Sequence, residues 1–328
     1  MHPANSPLRR RLLATLATGV GLPGILCAQP RFPDRAITLL VPFASGGIAD
    51  LSARAVAEHL SRTLGQPVVV ENKPSAGSIV ASQAAATARP DGHTLLLMSN
   101  ANAVSVGLFR KLPYDPVKDF APVGLIGSFD LGLFASAGGR FGTLGDALAY
   151  ARAHPGRLTI GTITPGSTQH LSAKLFETTA GIEALVVPYK GSPAVLTALR
   201  AGEVDLAVEV LGPMLPQVAA GAVRALAVTS GRRNPALPEV PTVQQAGVAG
   251  YDVASWNGIA APAATPPAVL AVLARALQSA LADAAVQDKL ARAGLRVRPG
   301  APGELQALLV SEIQRWGGVI RAAKIEPE

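Results

Sequence analysis

The chain has 328 residues, 49% hydrophobic and 16% charged, with a formal charge of +7. That is enough apolar material for one large domain or two of ordinary size. Aromatic residues make up 4% and the basic ones are scattered rather than clustered, which argues against a nucleic-acid partner. Five histidines show no metal-binding spacing and Cys27 is the only cysteine, so neither metal nor cofactor is expected.

Residues 1–28 read as a secretory signal peptide. Arg9-Arg10-Arg11 is a basic head, and Leu12 to Leu26 is apolar but short and broken by Pro23. Cleavage is expected after Ala28. A twin-arginine signal is one alternative. A lipid anchor on Cys27 is another, which the bulky Leu26 disfavours. Cleavage removes the cysteine, and with it any disulfide or thiolate nucleophile. It also lowers the charge from +7 to +4, because three arginines leave without an acid. No other segment approaches about 20 unbroken apolar residues, so a soluble protein outside the cytoplasmic membrane is expected.

The mature chain opens with Ile37 to Phe43, a continuous apolar run of the kind that forms a strand buried on both faces. Ala44-Ser45-Gly46-Gly47 follows, then a helical pattern through Ala53, Val56, Ala57, Leu60 and Leu64, stopped by Gly65 and Pro67. Strand, glycine turn and helix together offer exposed N–H groups and a helix dipole to a small anion, although two glycines also simply make a tight turn. A strand at Val68 to Val70, a helix from Ile79 to Ala88 and a strand from His93 to Met98 come next. The last of these runs into Ser99-Asn100-Ala101-Asn102, read as a loop. Lys111 to Pro122 has three prolines and no period, and reads as an ordered loop.

A second run of the same grammar starts at Thr143, with Asp146 in capping-box spacing. Strands are expected at Leu158–Thr162, Ala184–Val187, Val204–Val210 and Val223–Thr229. Ser192 is expected to cap a helix that ends at Gly202. Beyond a strand at Val253–Ala260 the chain reads as three helices, Pro266–Ala282, Ala284–Ala293 and Gly303–Ala323. The alternation predicts parallel sheets. It groups residues 29–128 with 254–328 in one domain and 129–253 in another. Two Rossmann-like α/β domains result, crossed near Gly127–Leu131 and Tyr251–Trp256, with a cleft between them.

Ligands in such sheets sit beyond the carboxyl ends of the strands. Four loops lie there: Ala44–Gly47, Ser99–Asn102, Thr164–Thr168 and Tyr189–Ser192. Their Gly, Ser, Thr and Asn content points to a shared small-anion site. Asp50 fits a role in the first helical turn. Lys190 is a candidate counter-charge, with a solvated loop lysine as the alternative. Glu209, at a strand end, favours a ligand with an ammonium if it reaches the cleft. Ser167 and His170 are three apart, but no G-x-S-x-G elbow and no orienting acid accompany them, so catalysis is not expected and His170 is read as structural or ligand-contacting. Phe129 and Trp256 are expected to serve as wall or hinge packing at the crossings.

The order of segments is itself informative. VPFASGGIAD, GQPVVVENKPSAG, RPDGHTLLL, LPYDPVKDFAPV, GSTQHL, VPYKGSPAVLTALRAGEVD, VRALAVTS, LPEVPTV, the Trp256–Pro266 run and RWGGVI occur collinearly from about Phe32 to Ile325. In this the chain resembles the Bug/TctC family of periplasmic solute-binding receptors, associated with tripartite tricarboxylate transporters. The resemblance implies a type II periplasmic binding protein fold, the Venus flytrap, and a monomeric receptor that is not an enzyme. It implies a small carboxylate ligand (a di- or tricarboxylate, an amino acid or an aromatic acid) gripped by backbone amides. The implied partners are membrane permease subunits or a sensor ectodomain. The ligand loops carry over onto Ala44, Ser45, Gly46 and Gly47 with Asp50 behind, onto Asn100, Ala101 and Asn102, and onto Gly166, Ser167, Thr168, Tyr189, Lys190 and Gly191. Ser45 stands where alanine is common, and Ser75-Ala76-Gly77-Ser78 replaces a more glycine-rich loop.

Overall fold

The apolar run at Ile37 forms β1 (Ile37–Val41), which pairs in parallel with β2 (Val68–Asn72) and β3 (Thr94–Ser99). The computed structural model describes residues 32–322 and 325–327; the expected export segment, with Cys27 and Ala28, lies outside them. α1 (Ile48–Leu64) joins β1 to β2. It ends where Gly65 turns left-handed at φ 71° and its N–H bonds the Ser61 carbonyl. α2 (Ile79–Ala86) leads toward β3.

Two elements differ from the sequence reading. Asn100–Leu108 is a helix, α3, not a loop. Ser99 caps it, and the Asn102 side chain returns a bond to the Ser99 amide, so the capping box closes with Asn where Glu or Gln is usual. Ala101, Val104 and Leu108 form its buried stripe. The second is β4 (Phe120–Ser136), a 17-residue strand that takes in the end of the expected Pro-rich loop and the first crossing. The register shifts between Pro122 and Gly124 and again between Leu125 and Gly127, so bulges absorb the residues that look unlike strand.

β4 serves two sheets. Its first part runs antiparallel to β9 (Ala254–Pro262) and β10 (Leu295–Gly300). Its second part runs antiparallel to β7 (Leu206–Val210) and β8 (Val223–Val228). Asp130 still faces Ala254, and Leu131 already faces Val210. The sheets are therefore mixed, not parallel as expected: a chain that leaves along one strand and returns beside it must run the two in opposite directions. Asp130, 3% exposed, anchors the changeover, accepting from both Arg296 Nη atoms at 2.7 and 2.9 Å and from Asn234 at 2.9 Å.

The second set comprises α4 (Leu144–Ala153), β5 (Leu158–Ile163), α5 (Thr168–Ala180), β6 (Ala184–Tyr189), α6 (Ser192–Ala201) and α7 (Leu211–Ala219), with β5 parallel to β6 and β7. Thr143 and Asp146 form the expected capping box. The path through the sheets is β2-β1-β3-β9-β4-β7-β5-β6, with β8 and β10 also on β4. α8 (Pro267–Ala282) and α9 (Ala284–Arg292) return to the first lobe, where Leu273, Leu277 and Leu290 share a core with Leu39 and Val56. α10 (Pro302–Ala322) touches both lobes. Leu305 and Leu309 pack with Leu96 and Trp256, and Trp316 and Ile320 pack with Leu131 and Leu171. The short β10, whose Arg and Pro residues masked it, gives the C-terminal segment a strand that the sequence reading left out.

Candidate functional site

Four helices begin just beyond strand ends and face one space between the lobes. From the first lobe, Phe43, Ala44, Gly47, Ile48 and Ala49 line it at the start of α1, and Ser99 at the start of α3. The second lobe supplies Ile163, Thr164, Thr168 and Gln169 around the start of α5, and Lys190, Gly191 and Ser192 at the start of α6. Phe129 of β4 with Ser255 and Asn257 of β9 form the wall at the crossings. The cavity measures about 30 Å³. A water needs about 10–15 Å³ on this measure, so as the lobes stand the space has room for only a small group. A larger ligand requires the lobes to part.

The electrostatics follow from the helix ends. First-turn N–H groups have no acceptor within their own helix, and each N-terminus carries roughly half a positive charge. α1 and α6 are capped by Gly47 and Gly191, with no capping side chain to cover those groups. At α5 the Ser167 hydroxyl accepts only the His170 N–H, at 3.1 Å, so the Thr168 and Gln169 amides have no side-chain cap, and both residues line the cavity.

Of the residues singled out from sequence, Ala44, Gly47, Ser99, Phe129, Thr164, Thr168, Lys190, Gly191 and Ser192 line the cavity, and the others do not. Ser45 and Gly46 are on the exposed side of their loop. Asp50 is buried behind it. Its carboxylate accepts from the Gly46 N–H at 3.0 Å, Arg54 Nε at 2.9 Å and Asn72 Nδ2 at 3.0 Å. Burial pushes its pKa up, and the bonds from Arg54, Gly46 and Asn72 outweigh burial and hold the carboxyl below its usual range. Asp50 thus fixes the loop and has no free oxygen facing the cavity. Asn100 and Asn102 turn into the protein: Asn102 donates to Ser82 at 2.8 Å, and Asn100 donates to Thr168 Oγ1 at 3.3 Å. Ala101 is buried in the same turn, its N–H on Ser99 Oγ. Tyr189 closes β6 one residue before Lys190.

Ser167 and His170 are not arranged as nucleophile and base. The hydroxyl accepts the histidine's backbone N–H, and neither residue lines the cavity. Burial, with help from Lys174, lowers the His170 pKa to about 4. Ser192, expected as a cap, is the first residue of α6, and its hydroxyl donates to Glu209 at 3.0 Å. Glu209 is buried behind Ser192 and stays out of the cavity. Ile48, Ala49, Gln169, Ser255 and Asn257 were missed as site residues. The first three follow from the rule that first-turn amides face the ligand. Ser255 and Asn257 carried no sequence signal, because only the register of β9 brings them to the cleft.

The lobes touch directly around the cavity. The Gly77 N–H donates to the Pro165 carbonyl at 3.1 Å. A Cβ on Gly166, whose φ is +77°, would lie 2.9 Å from Gly77 backbone atoms. A Cβ on Gly191 would lie 3.2 Å from that of Ala44. Thr168 Oγ1 and Ser255 Oγ are 2.8 Å apart, and Trp316 Nε1 donates to Asn100 Oδ1 at 2.9 Å, extending the network to α10.

Comparison with known proteins agrees with this architecture. Residues 52–325 match the family described as the tripartite tricarboxylate transporter family receptor. Rpa4515 of R. palustris, solved with adipate, is 36% identical with a TM-score of 0.86, over 90% of this chain and 100% of that one. The periplasmic binding protein BugD is 31% identical with a TM-score of 0.86, over the same shares. MatC from Rhodopseudomonas palustris, solved with malate, is 35% identical with a TM-score of 0.83, over 88% of this chain and 100% of that one. The chain therefore belongs to the Bug/TctC receptor family, with the two-domain α/β fold of the periplasmic binding proteins around a cleft.

Proposed function

We propose that this protein is exported to the periplasm, captures a small carboxylate and delivers it to the membrane subunits of a tripartite tricarboxylate-type transporter, acting as a monomer and not as an enzyme. The observation that carries this reading is the convergence of helix N-termini on one cavity between the lobes with a single lysine beside them. Such a site favours a compact anion. The adipate and malate held by two similar proteins are both carboxylates. On this reading Gly47, Ile48 and Ala49 of one domain and Thr168, Gln169, Gly191 and Ser192 of the other close on the carboxylate, and Lys190 adds long-range attraction. Ala44 and Phe129 close the walls. The domains are residues 29–128 with 254–328, and 129–253, hinged where β4 changes partner.

The test is calorimetric titration with four- to six-carbon mono-, di- and tricarboxylates, with amino and aromatic acids alongside. Mass spectrometry of small molecules released from protein purified without refolding complements it. Saturable one-to-one binding of at least one acid, without turnover of ester or amide substrates, is expected. Release of a cationic or neutral ligand only, or ester hydrolysis lost in Ser167→Ala, refutes the reading.

A further inference from the structure

Glu209, next to last in β7, carries a side chain that the cavity does not use. The residue is 1% exposed. Its Oε2 accepts the Ser192 hydroxyl at 3.0 Å and the Val210 N–H at 3.1 Å. Its Oε1 is buried without a hydrogen-bond partner among the described residues. Ser192, in contrast, lines the cavity, and its Oγ lies 3.8 Å from where a Cβ on Gly47 would stand. It is therefore a neighbour of the first turn of α1.

A serine hydroxyl has one proton and two lone pairs. Here the proton is committed to Glu209, so Ser192 turns lone pairs to the cavity. Beside amides that only donate there is now a group that accepts. A carboxylate oxygen, itself an acceptor, gains nothing from the Ser192 hydroxyl. A hydroxyl or ammonium on the carbon next to that carboxylate gains a hydrogen bond. The carboxylate behind Ser192 adds negative potential, which acts strongly in a site shielded from water and favours the ammonium further.

We propose that the Glu209–Ser192 pair makes this receptor selective for hydroxy- and amino-carboxylates over unsubstituted carboxylates. The inference rests on the carboxylate reading above and names the ligand class within it.

The groups around Glu209 are consistent with an acceptor role above neutrality. Burial pushes its carboxyl up to about 7, against the Val210 N–H, the Ser192 hydroxyl and the neighbouring Gln169 side chain. β5 and α7 carry no ionisable side chain. β4 places Gly132 opposite Glu209, and its Asp130 is taken by Arg296. On α5, His170 lies beside Gln169, with Lys174 and Glu177 paired beyond it. Lys190 precedes α6, and Arg200 sits in its last turn. No charged side chain among these contributes to the Glu209 shift.

The experiment is calorimetry at pH 8 with matched probes: succinate against malate and aspartate, and adipate against 2-aminoadipate. In the wild type the substituted member of at least one set should bind about tenfold more tightly, the worth of one charge-assisted hydrogen bond. Ser192→Ala should reduce that ratio to about threefold or less. Glu209→Gln keeps an acceptor for Ser192 and removes the charge. It should hold the malate preference and weaken the amino-acid preference, which a merely structural role would not separate. Equal binding within both sets, or a ratio unmoved by Ser192→Ala, overturns the inference and leaves the receptor reading standing. Binding of none of the five acids while another carboxylate binds overturns the inference alone; binding of no carboxylate at all removes both.

Discussion

Gly166 gives the sharpest test of closure. Its φ of +77° is left-handed, and an added Cβ would stand 2.9 Å from the N and Cα of Gly77 in the facing lobe. Backbone cannot swing aside as a flexible side chain can. Gly166→Ala must therefore pull the two loops apart and weaken the 3.1 Å bond from the Gly77 N–H to the Pro165 carbonyl. Losing that bond costs about 0.5–1.5 kcal/mol, and the displaced contact adds to it, so binding should weaken by about tenfold. Left-handed strain of about 1–2 kcal/mol is paid in the open and closed forms alike, and lowers stability without touching affinity. Gly181→Ala is the control. It lies at the other end of α5 with φ +61° and nothing within 4 Å of its Cβ. Denaturant unfolding should show both variants destabilised, and calorimetry with malate or another bound acid should show only Gly166→Ala weakened. Equal affinities for the two variants refute the claim that this contact belongs to the ligand-holding state.

Lys190→Ala should weaken acid binding by about tenfold at most, since one exposed charge adds little to several buried amides; calorimetry in low and moderate salt measures it, and abolished binding contradicts it. Glu209 should make stability pH-dependent. Its folded pKa of about 7 lies above the ordinary 4.5, so its contribution is full below 4.5 and is lost as pH rises through 7. Urea unfolding at pH 5 and pH 8 should show the wild type losing on the order of 3 kcal/mol more than Glu209→Gln over that range. A parallel response of the two proteins contradicts the assignment. Ser78 is left-handed at φ 62° and its hydroxyl is buried without a partner among the described residues. Ser78→Gly should thus stabilise by about 1 kcal/mol, read as a higher urea midpoint.

Local rules carried far into this fold. Gly65 and Gly202 stop helices in the left-handed conformation their positions imply. Thr143 and Asp146 close the capping box their spacing implies. The failures lie where tertiary structure decides. α3 begins with small polar residues and an Asn in place of the usual Glu, so its cap is invisible until Ser99 and Asn102 are seen bonded. β4 hides behind Pro122 and its glycines because bulges tolerate them only with β9 alongside. At the site, the loops were legible and the side-chain directions were not. Asn100, Asn102, Asp50 and Glu209 are polar residues next to a cleft, yet each is spent on bonds inside the protein. Ser255 and Asn257 reach the cavity only through strand register.

The central claim is that amides at facing helix starts hold the carboxylate. The direct measurement is a titration of ¹⁵N-labelled protein, following the amides of Ile48, Ala49, Thr168 and Gln169 by NMR. The probe is whichever of succinate, malate, aspartate, adipate and 2-aminoadipate binds most tightly by calorimetry. These four amide protons should move downfield together, saturating at the calorimetric Kd, as N–H groups do when they donate to an anion. If they stay in place while calorimetry reports saturable binding, the carboxylate is held elsewhere and the account of this site is wrong.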